Sequence, residues 1–153
     1  MATRLSRAAL GDIGPSVDVP RYRPEQWSPG LVHIGVGNFH RAHQAAYLDE
    51  LFERGLDRDW AIVGTGVRDS DAEMRRDLAA QDFLSTVVTQ EAERSQARVT
   101  AAMIDFIAPG DVAAILRRLV DPRTRIVSLT VTEGGYFVDP ATQAFDAHHP
   151  DIV

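Results

Sequence analysis

The chain has 153 residues, 44% of them hydrophobic, a formal net charge of −6 and no cysteine. That length allows one core burying about two-thirds of the unfolded surface, and the acidic balance excludes a general nucleic-acid or anionic-membrane surface, which needs clustered Lys and Arg. The lack of cysteine excludes disulfides, thiolate zinc sites and cysteine nucleophiles; with no signal-peptide pattern in Met1 to Leu10 and no apolar run of membrane-spanning length, the expectation is a cytoplasmic protein.

Residues 1–30 hold four of the eight prolines (Pro15, Pro20, Pro24, Pro29) and no sustained periodicity, so they read as a surface arm with a short helix near Leu5 to Leu10. Leu31 to Val36 is a short apolar run, read as a strand, which enters a turn with Gly35 and Gly37. A helical pattern follows at once, with Ala42, Ala45, Ala46, Leu48, Leu51 and Phe52 on one face and Gly55 placed to close it. Trp60 to Gly64 is the second strand, apolar enough to be covered on both faces. Ser70 and Glu73 have capping-box spacing, which predicts a helix from Asp71 to about Ala80. Phe83 to Gln90 and Arg98 to Ile107, rich in β-branched and aromatic residues around the polar loop Glu91 to Ala97, suggest a β excursion such as a hairpin. Asp111 caps the clearest helix of the chain, where Val112, Ile115, Leu116, Leu119 and Val120 fall at i, i+3, i+4, i+7 and i+8; Asp121-Pro122 stops it. Ile126 to Thr132 reads as a buried strand ending in Glu133-Gly134-Gly135, and the chain turns polar from Phe137 onward.

This alternation predicts an α/β fold: a doubly wound, mostly parallel Rossmann-type sheet, incomplete as it stands. The expected division is an arm over 1–30, a partial dinucleotide-binding domain over 31–136, and a loop-like tail over 137–153 leading to a missing remainder.

The opening turn carries the chemistry. In the dinucleotide fingerprint the first glycine permits a sharp turn and the second lets backbone approach a pyrophosphate held at a helix N-terminus. Gly35 and Gly37 match those two, but His40 stands where the third glycine belongs, and a strand-turn-helix corner with no ligand is an equal reading of the motif alone. The candidate cofactor-binding residues are Ile34, Gly35, Val36, Gly37, Asn38, Phe39, His40 and Arg41, with Arg41 either meeting phosphate or forming a surface ion pair. Gly64-Thr65-Gly66 is a second Gly-x-Gly, but Asp69, Ser70 and Asp71 follow it, and their charges would repel a pyrophosphate. Asp69 is instead expected at the end of the second strand, accepting hydrogen bonds from the adenosine ribose; this favours NAD over NADP, while Arg68 beside it leaves NADP tolerated. A helix cap shared with Ser70 is the alternative for Asp69.

The run Val32-His33-Ile34-Gly35-Val36-Gly37-Asn38-Phe39-His40-Arg41-Ala42-His43-Gln44 resembles the opening of the long-chain polyol dehydrogenases, the family of mannitol 2-dehydrogenase and fructuronate reductase. Gln81-Asp82-Phe83-Leu84 and Val131-Thr132-Glu133-Gly134-Gly135-Tyr136 follow in that family's order. The resemblance implies an NAD-dependent oxidoreductase acting on a secondary alcohol, D-mannitol to D-fructose, with a fructuronate- or tagaturonate-type sugar-acid reductase as the sibling. It also implies that Glu133 lies near nicotinamide and substrate, able to influence proton movement; a solvated first turn residue is the alternative. In such enzymes a lysine, with asparagine and histidine helpers, does the main work from a later helical domain. All 16 basic residues here are arginines, so the chain is expected to be an inactive N-terminal portion lacking its catalytic lysine and C-terminal helical domain.

His40 and His43 invite a metal reading, but no third ligand is in view, and none is expected. A free-standing non-catalytic nucleotide-binding module is the rival from another class. An adenosylmethionine-dependent methyltransferase is a third, against which His40-Arg41 and the Glu-Gly-Gly-Tyr segment count. The implied partner is a small polyol or sugar acid; neither a nucleic acid nor a membrane is expected, and the oligomeric state stays open.

Overall fold

The computed structural model describes residues 4–23, 27–131 and 133–152; the side chains of Asp69 and Glu133 lie outside the described residues. The arm is more structured than a surface strap. It forms a 3-10 helix, Arg7–Asp12, started by the Ser6 hydroxyl accepting from Ala9 N, and then a two-residue strand, β1 (Val17–Asp18).

From β2 (Pro29–Ile34) the chain passes through Gly35–Gly37 into α1 (Asn38–Ala42), bends at His43, and continues as α2 (Gln44–Glu53). The expected single helix is thus two, because His43 takes φ −118° and ψ −77°, while Gly55, at φ +72°, ends it with its N–H on the Phe52 carbonyl. β3 (Ala61–Thr65) is buried throughout. α3 (Asp69–Ala79) starts at an Arg68 cap and not through the expected Ser70–Glu73 box: the Asp71 carboxylate accepts from Val67 N and Arg68 N, both at 2.9 Å. Three residues into the helix, an aspartate reaches the free amides that a more distant glutamate would have had to fold back to meet.

β4 (Ser85–Gln90) and β5 (Ser95–Thr100) form the expected antiparallel hairpin. The stretch Arg98 to Ile107 is not one strand, however. It divides at Ala101-Ala102, after which β6 (Met103–Phe106) joins a different sheet. Two buried alanines make that crossing, with Ala101 N bonded to the Asp49 carboxylate and the Ala102 carbonyl accepting from Ile62 N. α4 (Val112–Leu119) begins at Asp111, whose side chain accepts from Ala114 N, and β7 (Ile126–Leu129) follows.

The main sheet has the order β6-β3-β2-β7, all pairs parallel; the smaller one is β1-β5-β4, with β1 parallel to β5. In the main sheet the chain works outward from β2 to β3 and β6, then crosses to the other side of β2 for β7. This is the doubly wound arrangement, and its switch point falls between β2 and β7, at the mouth of the Gly35–Gly37 turn. The main core gathers Leu31, Val36, Phe52, Ile62, Leu78 and Phe106 against Trp27, with Tyr22, Trp27 and Phe52 ring to ring at 4.1–5.6 Å. Beneath it Asp49, only 3% exposed, accepts from the Tyr22 hydroxyl and from Ala101 N, tying arm, α2 and the sheet crossing together. Burial raises the Asp49 carboxyl above its ordinary value, and burial together with the Asp49 charge raises the Tyr22 phenol.

β7 corrects the expectation of a buried strand. It is an edge strand, with Ile126, Val127 and Leu129 44%, 48% and 59% exposed, and Val112, Leu116 and Val120 of the α4 stripe also face outward. An apolar run signals a strand meant to be covered, but among the described residues β7 has a neighbour on one side only. Thr132, the expected end of that strand, lies outside the described residues. No described helix is long and apolar enough to cross a membrane.

Candidate functional site

A cleft of about 520 Å³ opens at the carboxyl ends of β2, β3 and β7. Its floor is Ile34 to Phe39; Val67, Arg68, Ser70, Asp71 and Met74 form one wall and Leu129, Thr130, Val131 and Gly135 the other.

The two Gly-x-Gly segments are built differently. At Gly66 the space a Cβ would occupy is already taken by the Asp71 side chain, and at Gly64 a Cβ would stand 2.7 Å from Val36 Cγ2 and 2.9 Å from Met103 Cε. Those glycines are there for packing. At Gly37 nothing lies within 4 Å of the Cβ position, so the bare backbone faces open space, although its φ of −106° is one that any residue adopts. Gly35 does need to be glycine, with φ +86°. Its N–H reaches the Thr65 carbonyl at 2.9 Å, and its own carbonyl accepts from Gly37 N at 2.9 Å. Gly37 N–H is therefore satisfied within the turn. The amides without an intrahelical partner are the next ones, at the start of α1.

Six of the eight turn candidates, Ile34 to Phe39, line the cleft; His40 and Arg41 do not. Arg41 folds back, with Nε 3.4 Å from the Gly37 carbonyl and Nη2 2.5 Å from Asn38 Oδ1, which braces the corner from outside. His40 is 1% exposed and lies flat on His33, centroids 3.8 Å apart and planes 15° apart. Where a third glycine would let helix and strand close up, two stacked imidazoles fill the gap. Neither His40 ring nitrogen has a hydrogen-bond partner among the described residues, and burial, reinforced by His33 and Arg41, lowers its pKa to about 3. His43 points elsewhere, 4.6 Å from the exposed ring of Phe39, and no three described His, Asp or Glu come together as a metal site would need.

α3 begins at Asp69, between the wall residues Arg68 and Ser70, and a 3-10 turn spans Glu133–Tyr136 and includes Gly135 of the other wall; both acidic side chains lie outside the described residues. What the sequence did not reveal is the polar floor behind the turn. His33 Nδ1 is 2.9 Å from Ser128 Oγ, and its Nε2 is 3.2 Å from the Gly35 carbonyl and 3.1 Å from Thr130 Oγ1. Gln44 Nε2 reaches Ser128 Oγ at 3.2 Å. Burial lowers the His33 pKa, against a smaller opposing effect of the Gly35 carbonyl. A histidine interrupting an apolar strand was the available signal.

Comparison with known proteins shows the family. Residues 29–152 match the family model described as the mannitol dehydrogenase Rossmann domain. Mannitol 2-dehydrogenase of Cereibacter sphaeroides is 58% identical over 139 residues, 90% of this chain and 29% of that protein. The polyol:NADP oxidoreductase of Gluconobacter oxydans is 43% identical over 152 residues, 97% of this chain and 31% of its own. Among solved structures, the Pseudomonas fluorescens mannitol 2-dehydrogenase ternary complex with NAD and D-mannitol aligns with TM-score 0.83 at 42% identity, covering 95% of this chain and 30% of that one. A substrate-free D-sorbitol dehydrogenase aligns with TM-score 0.78 at 39% identity. The chain spans less than a third of the length of each of these first three relatives.

Proposed function

The chain belongs to the mannitol dehydrogenase family, as its Rossmann domain, and from that premise we propose that it is the NAD-binding portion of a polyol 2-dehydrogenase taking D-mannitol to D-fructose. The observation that carries the reading is the bare backbone at Gly37, open to a cleft at the switch point of the sheet. The residues that would hold the diphosphate bridge of the dinucleotide are Gly37 and the first turn of α1, and Asp69, which the structure makes the first residue of α3 and not the end of the strand, would accept from the adenosine ribose. Arg68, on the same wall, is the group that would tolerate a 2′-phosphate, and a relative named for NADP supports keeping NADP as a second cofactor. The polyol enzymes among the relatives favour a polyol over a sugar acid as substrate.

When bound, NAD supplies the hydride acceptor, and the protein's task is orientation and proton handling. Glu133, first residue of the 3-10 turn that follows β7, is the residue assigned to moving a proton near the reacting carbon. The lysine that the family resemblance implies as the base is absent from the chain, so this reading assigns turnover to a longer protein whose helical remainder, also implied by the resemblance, covers β7 and the outward stripe of α4. The 153 residues alone bind cofactor without catalysing.

The test is calorimetric titration of the chain with NAD, NADP and adenosylmethionine, beside a Gly37→Leu variant. Because no atom crowds the Gly37 Cβ and its backbone suits any residue, the variant folds with stability within about 1 kcal/mol of the parent yet loses NAD affinity by about a hundredfold. Equal NAD binding by both proteins, or binding of adenosylmethionine alone, would overturn the assignment.

A further inference from the structure

His33 is the penultimate residue of β2, outside the cleft lining, with three partners: Ser128 in β7, Thr130 just beyond it, and the Gly35 carbonyl of the turn. A carbonyl oxygen can only accept, so the 3.2 Å approach of Nε2 to Gly35 is a bond only when Nε2 carries the proton. That choice makes Nδ1 the acceptor. The hydrogen bonds then run in one direction, from the Gln44 amide to the Ser128 hydroxyl, from that hydroxyl to His33 Nδ1, and from His33 Nε2–H to the Gly35 carbonyl. The opposite tautomer could still use Ser128, Thr130 and the longer 3.4 Å contact of Ser128 with Gln44 Oε1, but it would set a lone pair of Nε2 against the Gly35 oxygen. Stacking of His40 on the other side of the ring prevents His33 from rotating out of this arrangement.

We propose that His33 is the positioning residue of the cofactor turn: it pins the Gly35 carbonyl from behind through Nε2–H, with its tautomer set by that carbonyl and its ring held at Nδ1 by the Ser128 hydroxyl of β7. The proposal rests on the NAD reading above. Gly35 is the hinge of the bend: its N–H, in the peptide plane before it, is held by Thr65, and its carbonyl, in the plane that leads on to Val36, by Gly37 N–H and His33 together. Fixing that plane fixes the backbone at Gly37, on which a diphosphate would rest, before any ligand arrives. The same histidine joins the turn to the strand that leads into Glu133, so the diphosphate and nicotinamide ends of the cleft share one support.

Two measurements on the full 153-residue chain test this. Long-range proton–nitrogen NMR at pH 7 is expected to find His33 neutral with the proton on Nε2; a proton on Nδ1 overturns the proposal whatever the ligand results. In NMR titrations, His33→Leu and Ser128→Ala are expected to bind NAD about fivefold to tenfold more weakly while their adenosine affinity stays within about twofold of the parent. His33→Gln, whose amide can present an N–H toward Gly35, recovers most of the NAD affinity. Should His33→Leu fail to fold, Ser128→Ala, on a half-buried residue, decides alone. Equal losses for NAD and adenosine, or no loss, overturn the positioning role. A parent chain that binds no NAD overturns the cofactor reading and this inference with it, an outcome distinct from a parent that binds and variants that bind equally.

Discussion

Acid should destabilise this protein through one buried ring. His40 is 1% exposed, lacks a partner for either nitrogen among the described residues, and has its pKa lowered from 6.5 to about 3, first by burial and then by His33 and Arg41. A base with a depressed pKa binds fewer protons folded than unfolded, so its contribution to stability is complete above pH 6.5 and is lost as pH falls toward 3. Between pH 8 and pH 5 the unfolded histidine gains its proton and the folded one does not. That gap of about 1.5 pH units, at about 1.4 kcal/mol per unit, removes roughly 2 kcal/mol, a sizeable part of the 5 to 15 kcal/mol (roughly) typical of a domain. His40→Phe keeps a flat ring against His33 and removes the titration. Urea unfolding at pH 8, 6.5 and 5 should show the two proteins diverging toward acid, with the variant about 2 kcal/mol more resistant at pH 5 than its difference at pH 8 would predict. Asp49 and His33 titrate in both proteins, so their contributions largely cancel in the comparison. Parallel stability profiles across that range would refute the reasoning.

Asp49 slopes the other way: its carboxyl is raised by burial, so its ionisation destabilises the fold as pH rises above the ordinary carboxylate value, and Asp49→Asn, which keeps an acceptor for Tyr22 and Ala101, should flatten that slope in urea titrations while Asp49→Ala costs about 1 to 3 kcal/mol. Asp71→Ala frees the Val67 and Arg68 amides and should cost about 1 kcal/mol by thermal unfolding, with no cost expected if α3 were held by Ser70 and Glu73 instead. Asp69→Ala should shift cofactor preference from NAD toward NADP by about tenfold in paired titrations; an unchanged preference would remove Asp69 from the ribose role. In a complete enzyme containing this domain, Glu133→Gln should displace or abolish one limb of the pH–rate profile, and an unaltered profile would leave Glu133 a turn residue.

The sequence made the sheet legible where a local pattern coincided with a tertiary one. β2, β3 and α4 are short runs whose apolar spacing has a single interpretation, and the caps at Asp111 and Gly55 work as their residue types suggest. The misreadings fall where two structures share one composition. Arg98 to Ile107 looks like a continuous strand because β5 and β6 have the same residue preferences, and the alanines that part them carry no turn signal. The strand β1 in the arm is two residues long and pairs with a partner about 80 positions away, a separation no local window reaches. β7 and α4 have the composition of covered elements without a cover among the described residues, in a chain that spans less than a third of its relatives' length.

The site was legible in a different way. Glycine spacing marked the turn, but spacing alone could not separate Gly35-x-Gly37 from Gly64-x-Gly66; what separates them is where a missing Cβ leads, into a cleft in one case and onto Asp71 or the core in the other. His40 looked like a departure from the dinucleotide pattern, and against a helix that must approach a sheet closely it is one. The departure makes sense only with His33, because the two flat rings stack and together fill the gap between helix and strand. Seven residues apart in sequence, the two histidines are one feature in space. A substitution at either therefore cannot be interpreted alone: His40 determines how far His33 can turn, and His33 holds the peptide of Gly35. If that coupling is real, the stability effects of His33→Leu and His40→Phe combine with an excess or deficit of about 1 kcal/mol or more, as for residues in contact, and strict additivity would separate the stack from the turn it is argued to support.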